Sequence, residues 1–289
     1  MILSNRQERR LPYLLISPTV AVLLALSIYP LFYSIKTSFQ TGDDAHFSFD
    51  NFTRLFSDGF FLSATAHTFV FASLALTLEF LIGLGLALLL DSKLRGKNIF
   101  RAVLLVPMML PPVVVGVVWR LMLNSDFGAI NGTLKSFGVD TTNLTWTASP
   151  KLAFLSIIIV DVWQWTPFVF LILLAGLQAI PNEPYEAALI DGSSAWQTFK
   201  NITLPLLKPA ILIALLLRTM DLLRVFDSIF ILTEGGPGNA TETISLYIYR
   251  TAFRFGDFGY ATAMSFVLLI LTNIISATYI RFLQKQDTV

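Results

Sequence analysis

Hydrophobic positions in this chain run in long blocks, without the three-to-four-residue or alternating periods of a soluble core, and short polar stretches separate the blocks. Six blocks reach the roughly 20 mainly apolar residues that a helix needs to cross a bilayer. They run from Leu11 to Phe32, Thr68 to Leu90, Ala102 to Leu123, Leu152 to Ile180, Leu206 to Leu232, and Tyr260 to Phe282. Each predicts a membrane-spanning helix, because a helix satisfies its backbone polar groups internally. The first block, about 22 residues with no small-residue cleavage site after it, reads as a retained anchor and not as a cleaved signal. Pro12, Pro18 and Pro30 are expected to kink its ends.

Charge adds an orientation. Arg6, Arg9, Arg10, Lys93, Arg95, Lys97, Arg101, Lys200, Lys208, Arg281 and Lys285 fall on one side of the predicted spans, against Lys36, Arg54, Lys135, Lys151, Arg250 and Arg254 on the other. The positive-inside rule then puts both termini, the second-to-third connection and the segment around Glu186 in the cytoplasm. The outer loops carry turn clusters such as Thr41-Gly42-Asp43-Asp44 and Gly235-Gly236-Pro237-Gly238, and none is large enough for a separate domain. No fixed-period repeat interrupts the pattern. The expected division is 1–66, an anchor helix with the first outer loop, and 67–282, the main membrane domain.

Composition agrees with the membrane class. The 289 residues are 55% hydrophobic and only 13% charged, with a mean hydropathy of +0.68. The net charge of +1 argues against nucleic acid as a partner. Without cysteine there is no disulfide, thiolate zinc site or cysteine nucleophile. His46 and His67 lack second ligands at metal spacing, so no metal is assigned. No serine, histidine and aspartate arrangement suggests a hydrolase.

The polar stretch between the fourth and fifth blocks, E-A-A-L-I-D-G-S-S-A-W-Q-T-F-K-N-I-T-L-P from Glu186 to Pro205, predicts two short helices broken at Gly192. Pro181 and Pro184 suit a helix start, and Glu183 and Glu186 suit the positive end of its dipole. Small Ala187 and Ala188 would let another surface approach, with Leu189, Ile190, Trp196 and Phe199 as apolar anchors. The plainer alternative is an amphipathic helix lying on the inner leaflet. The spacing Glu186-Ala187-Ala188, three residues, Gly192, nine residues, Ile202-x-Leu204-Pro205 resembles the cytoplasmic coupling signature of ABC importer permease subunits.

Further positions carry the resemblance toward carbohydrate-type, maltose-permease-like subunits. They are Phe226-Asp227, Leu232-Thr233-x-Gly235-Gly236-Pro237-Gly238, Thr241 and Tyr249, together with Pro107, Pro111, Trp119, Gly128, Asn131 and Leu134. The resemblance implies an all-α membrane protein of the type I ABC importer permease fold, with six transmembrane helices and a coupling helix between the fourth and fifth. It implies a bacterial inner-membrane subunit that docks an ATPase through Glu186, Ala187, Ala188 and Gly192. The partners it implies are a second related permease subunit, two ABC ATPase subunits and an external solute-binding protein. The solute would be a sugar, with polyols, glycerol phosphodiesters and glycerol phosphate open. The chain has no G-x-x-x-x-G-K-[ST] loop, so ATP and Mg would sit on the partner ATPases and no cofactor on this chain. It departs from the maltose subunit in having six predicted spans and no large external insertion, so maltose-specific contacts are not carried over.

Ionisable residues at membrane depth mark a pathway or a structural pair. Arg218, Asp221, Arg224 and Asp227 recur every three residues in the fifth block. Each step of three falls about 60° short of a full turn, so the ladder winds around the helix and Arg218 and Asp227 cannot both face one pore. Either the four form self-neutralising structural pairs between helices, or Asp221 or Arg224 hydrogen-bonds a polar solute in a midplane cavity. Gln164, Glu79 and Asn124 complete the substrate-pathway candidates, while Trp163 and Trp165 read as interface anchors. A proton-coupled secondary transporter relaying through Glu79, Asp161 and Asp221 is the rival reading, although no broken helices in matching halves are evident.

Overall fold

The computed structural model describes residues 5–41, 46–92 and 96–284, with side chains from residue 13 onward in the first helix. Lys93, Arg95, Lys285 and the turn at Gly42, Asp43 and Asp44 therefore lie outside the described residues, as do the side chains of Arg6, Arg9 and Arg10. The chain runs through α1 (Asn5–Ser38), an antiparallel ribbon of β1 (Gln40–Thr41) and β2 (His46–Phe47), α2 (Asp50–Leu55) and α3 (Gly59–Asp91). It continues through α4 (Lys97–Met109), α5 (Pro112–Met122), α6 (Ala129–Ser136) and α7 (Pro150–Ala179). Then come α8 (Glu183–Ile190), α9 (Ala195–Thr198), α10 (Leu204–Leu222), α11 (Asp227–Leu232), α12 (Ile244–Phe253) and α13 (Phe258–Gln284). Among the described residues, five helices are long and apolar enough to span a membrane, and six if the bent pair α4 and α5 is one span.

The chain divides into two compact units. One comprises Met1–Asp58 and Ile248–Val267. In it, α1 is exposed throughout from Tyr13 to Tyr33, as expected of an apolar helix whose solvent is lipid. The connection after α1 is held by Asn51, whose Nδ2 donates to Ser38 O at 3.0 Å and Gln40 O at 2.9 Å. Arg54 bonds Asp257 at 2.8 Å and lies 4.0 Å over the Tyr260 ring, whose hydroxyl donates to Asp58 at 2.7 Å.

The other unit, Gly59–Tyr247 with Leu268–Val289, has its core where α3, α7 and α10 meet. Phe170, Leu173 and Leu207 are fully buried there. Apolar burial does not drive helices together in lipid, so close backbone approach and polar contacts matter more. Gly176 provides the approach: a Cβ there would stand 2.5 Å from Ala210 Cβ and 2.9 Å from Leu207 Cδ1.

Two predicted spans are broken. The third bends by 96° between α4 and α5, where Leu110 is extended (φ −80°, ψ 136°) because the residue before proline is steered out of the helical region. Gln164 Nε2 donates to the freed Leu110 carbonyl at 3.1 Å. The fifth stops at Leu222 and resumes at Asp227. Arg224 Nε caps the ending helix on Met220 O at 3.0 Å, and Thr243 donates to Val225 O at 3.3 Å. Neither proline nor glycine marks this second break in the sequence.

Candidate functional site

The polar segment forms two short helices around a closed turn. Pro184 sits in the first turn of α8, and Glu183 and Glu186 occupy the end where the helix dipole favours acids. Helix α8 ends in a Schellman motif: Ser193 N donates to Ala188 O at 3.0 Å and Gly192 N to Leu189 O at 3.2 Å. Gly192 has φ +72°, a conformation in which a side chain is strained even though the space beside it is open. Helix α9 opens with a capping box, in which Ser194 accepts from Gln197 N and Gln197 Oε1 accepts from Ser194 N.

This arrangement sorts the predicted docking residues. Glu186, Ala187 and Gly192 are exposed, whereas Ala188 is 4% exposed. Ala188 therefore packs inward and is not part of the free surface, a departure from the expectation that both alanines line one small face. The exposed apolar side chains beside them are Leu189 at 83%, Ile190 at 86% and Trp196 at 69%. The segment is tied to the bundle by Tyr185, whose hydroxyl donates to buried Thr203 Oγ1 at 3.2 Å. Through the five-residue π-turn Phe199–Thr203, Thr203 leads directly into α10.

Arg218 on that helix is the centre of a buried ion cluster. Its Nε and Nη2 donate to Glu79 Oε2 and Oε1 on α3, both at 2.7 Å. Nη2 also donates to Asp161 Oδ2 on α7 at 2.7 Å. The guanidinium carbon stands 5.1 Å from the Trp165 ring centroid. The three charged residues are buried, so the fork geometry of Arg218 pins three helices at one level.

Beside the cluster opens a cavity of about 240 Å³, lined by Asp161, Gln164, Trp165, Arg218, Asp221, Arg224, Phe226, Asp227 and neighbours. Arg218 and Asp227 thus reach one cavity, contrary to the winding-ladder expectation, because the helix stops between them. Of the four charges, Asp221 and Arg224 pair along the chain, whereas Arg218 does not pair within the ladder. Arg224 Nη2 lies 3.6 Å from exposed Asp221, while Arg218 turns to other helices. Glu79 is wholly buried behind Arg218 and does not line the cavity. Asn124 does not either: its Oδ1 accepts from the backbone of Asp126 and Phe127 in a turn. Trp165 lies midway along α7 against the cavity, so the interface-anchor reading fails for it. Trp163 packs on Trp119 with ring centroids 5.5 Å apart and is 40% exposed.

Among known proteins, the family model of binding-protein-dependent transport system inner membrane components matches residues 79–286. The chain belongs to that family. This permease is 40% identical to the trehalose/maltose transport system permease protein MalF of Thermococcus litoralis, over 95% of this chain and 94% of that one. It is 35% identical to the sulfoquinovosyl glycerol transport system permease protein SmoG of Agrobacterium fabrum, over 97% and 92%. With the lactose transport system permease protein LacF of Rhizobium radiobacter the identity is 34% over 91% of each chain. A crystal structure of a bacterial transporter importing the polysaccharide alginate shares the permease's fold, with a TM-score of 0.85 covering 97% of both chains at 24% identity. The permease is therefore a multi-pass membrane protein of the ABC importer fold.

Sequence reasoning did not single out Tyr185 or Thr203, and it gave Trp165 the role of an interface anchor. A tyrosine at the start of a short helix and a threonine before its successor carry no signal until the turn brings them together. Ser194-x-x-Gln197, by contrast, is a capping box legible in the sequence.

Proposed function

We propose that this permease is one membrane subunit of an ATP-driven importer that moves a sugar-class solute inward by alternating access. The names of its relatives, for trehalose or maltose, lactose and sulfoquinovosyl glycerol, support that solute class. The complex contains a second related permease subunit, two ABC ATPase subunits that bind ATP and Mg, and an external binding protein. The cavity supports this division: at about 240 Å³ it is smaller than the roughly 300–1,000 Å³ of a complete small-molecule site, and a second permease would supply the facing wall. Both termini and the α8–α9 segment face the cytoplasm of a bacterial cell, the side rich in Lys and Arg. The division into an anchor region at 1–66 and a transport domain at 67–282 belongs to the same reading.

The observation that carries the proposal is the link from surface to cavity. Glu186, Ala187, Gly192, Leu189 and Ile190 form a presentable edge for the ATPase, with Ala188 supporting it from behind. Tyr185 bonds Thr203, and Thr203 starts the helix that holds Arg218 about 20 Å further along. When two ATPases close on ATP, displacement of α8 passes to α10 and shifts the walls of the cavity. Asp221, Arg224 and Gln164 are placed to hydrogen-bond hydroxyls, and Trp165 offers an aromatic face to a sugar ring. Glu79 acts indirectly, by holding Arg218, and Asn124 shapes the turn after α5.

Reconstitution tests it. Vesicles holding the permease, its partner subunits and the binding protein should take up solute only with ATP inside the compartment where the ATPases lie. Uptake by this chain alone under a proton gradient would overturn the proposal in favour of a secondary transporter.

A further inference from the structure

We propose that the cavity beside Arg218 carries a net negative field that admits neutral or cationic polyhydroxylated solutes and rejects anionic ones. The inference rests on the import reading and narrows its solute class, setting aside glycerol phosphate and acidic sugars. The charged groups at the cavity are Asp161, Arg218, Asp221, Arg224 and Asp227, with Glu79 directly behind Arg218. Glu79 accepts from Nε and Nη2 of Arg218 at 2.7 Å, so a full negative charge lies directly against the guanidinium on the side away from the cavity lining. Arg224 is matched by Asp221 at 3.6 Å. Asp161 shares Arg218 with Glu79 through one of its oxygens. Asp227 has no ion-pair partner among the described residues.

The formal sum is four carboxylates against two guanidiniums. It stays negative even with a proton on Glu79, because Asp227 remains uncompensated. An apolar wall of Pro112, Leu222, Val225 and Phe226 on the same cavity keeps the field from being screened, since low-dielectric walls focus field lines. Rings of acidic side chains exclude anions in channels by the same physics. An anionic solute would meet Asp227 without a matching guanidinium, and Arg224, the exposed guanidinium on the cavity, already has the Asp221 carboxylate 3.6 Å away. A neutral sugar meets instead the carboxylate acceptors, the Gln164 amide and the Trp165 ring.

The absence of cysteine allows a direct measurement. Ser228 lines the cavity, and Ser228→Cys places a single thiol of this chain there. In the assembled complex, its rates of modification by trimethylammonium-ethyl and by sulfonato-ethyl methanethiosulfonate are compared, each divided by the rate for free 2-mercaptoethanol. The cationic reagent should be favoured by about tenfold or more, and Asp227→Asn in the same background should lower that preference several-fold. An equal or reversed preference overturns the proposal. So does uptake of galacturonate or glycerol phosphate by the wild-type complex as fast as uptake of a neutral disaccharide. If neither reagent reaches the thiol, the cavity is not an aqueous path, and both this inference and the pathway reading fall. A negative field in a complex that shows no ATP-dependent uptake would instead sink the import reading and leave the charge assignment standing.

Discussion

Arg218 and Glu79, 139 residues apart in the chain, form a two-pronged ion pair with both contacts at 2.7 Å in the interior of the helix bundle. Asp161 joins from a third helix. Arginine suits this position because its rigid fork satisfies two acids at once, which a lysine ammonium does not reproduce.

Replacing Arg218 by Met should leave two buried carboxylates without a partner. Breaking a buried ion pair from one side costs about 3–5 kcal/mol, so assembled, monodisperse protein should fall steeply, with a lowered unfolding temperature in detergent. Adding Glu79→Gln to that variant should recover part of the loss. Wild-type stability of Arg218→Met would show that the cluster does not hold the bundle.

Gly192→Val should uncouple without unfolding. Left-handed backbone costs an L-residue with a side chain roughly 1–2 kcal/mol, enough to reshape the turn that ends α8 but not a membrane bundle. Membrane insertion should be near normal with ATP-dependent uptake lost, while Gly192→Asn, whose side chain tolerates this conformation, should retain most of it. Equal uptake by the Val and Asn variants would argue against a role for the turn.

The α8 surface can be dissected by two substitutions. Glu186→Lys should weaken copurification of the ATPase with little effect on folding, since Glu186 is exposed. Tyr185→Phe, which removes only the hydroxyl that reaches Thr203, should keep the ATPase bound but lower uptake per ATP hydrolysed. Retention of both activities by both variants would remove α8 from the coupling path.

Asp221→Asn separates a structural from a solute-binding role. The structure places Asp221 in an exposed 3.6 Å pair with Arg224, and exposed pairs contribute about 0–1 kcal/mol. Assembly and basal ATPase activity should therefore be unchanged, and the dependence of uptake on solute concentration should shift several-fold. Loss of assembly would restore the reading of Asp221 as a structural partner.

Much of this permease is written in local pattern. The apolar blocks predict the helices because length and hydropathy are read residue by residue, and Glu186 to Pro205 is legible because caps and turns involve neighbours within four or five positions. Pro111 likewise announces the bend after Leu110, although nothing in its own neighbourhood says that Gln164 satisfies the freed carbonyl.

The sequence by itself determined the membrane class, the approximate spans and the polar segment with its glycine turn. Only the tertiary structure decided which acids Arg218 meets and that Arg218 and Asp227 share a cavity. Every-third-residue spacing fixes the angle between side chains only while one helix continues, and α10 ends at Leu222 with no local breaker. The pairing of Arg218 with Glu79 and Asp161 instead follows from the closeness of α3, α7 and α10, which small residues such as Gly176 permit. That closeness is a property of three surfaces meeting and is carried by no single stretch of the chain.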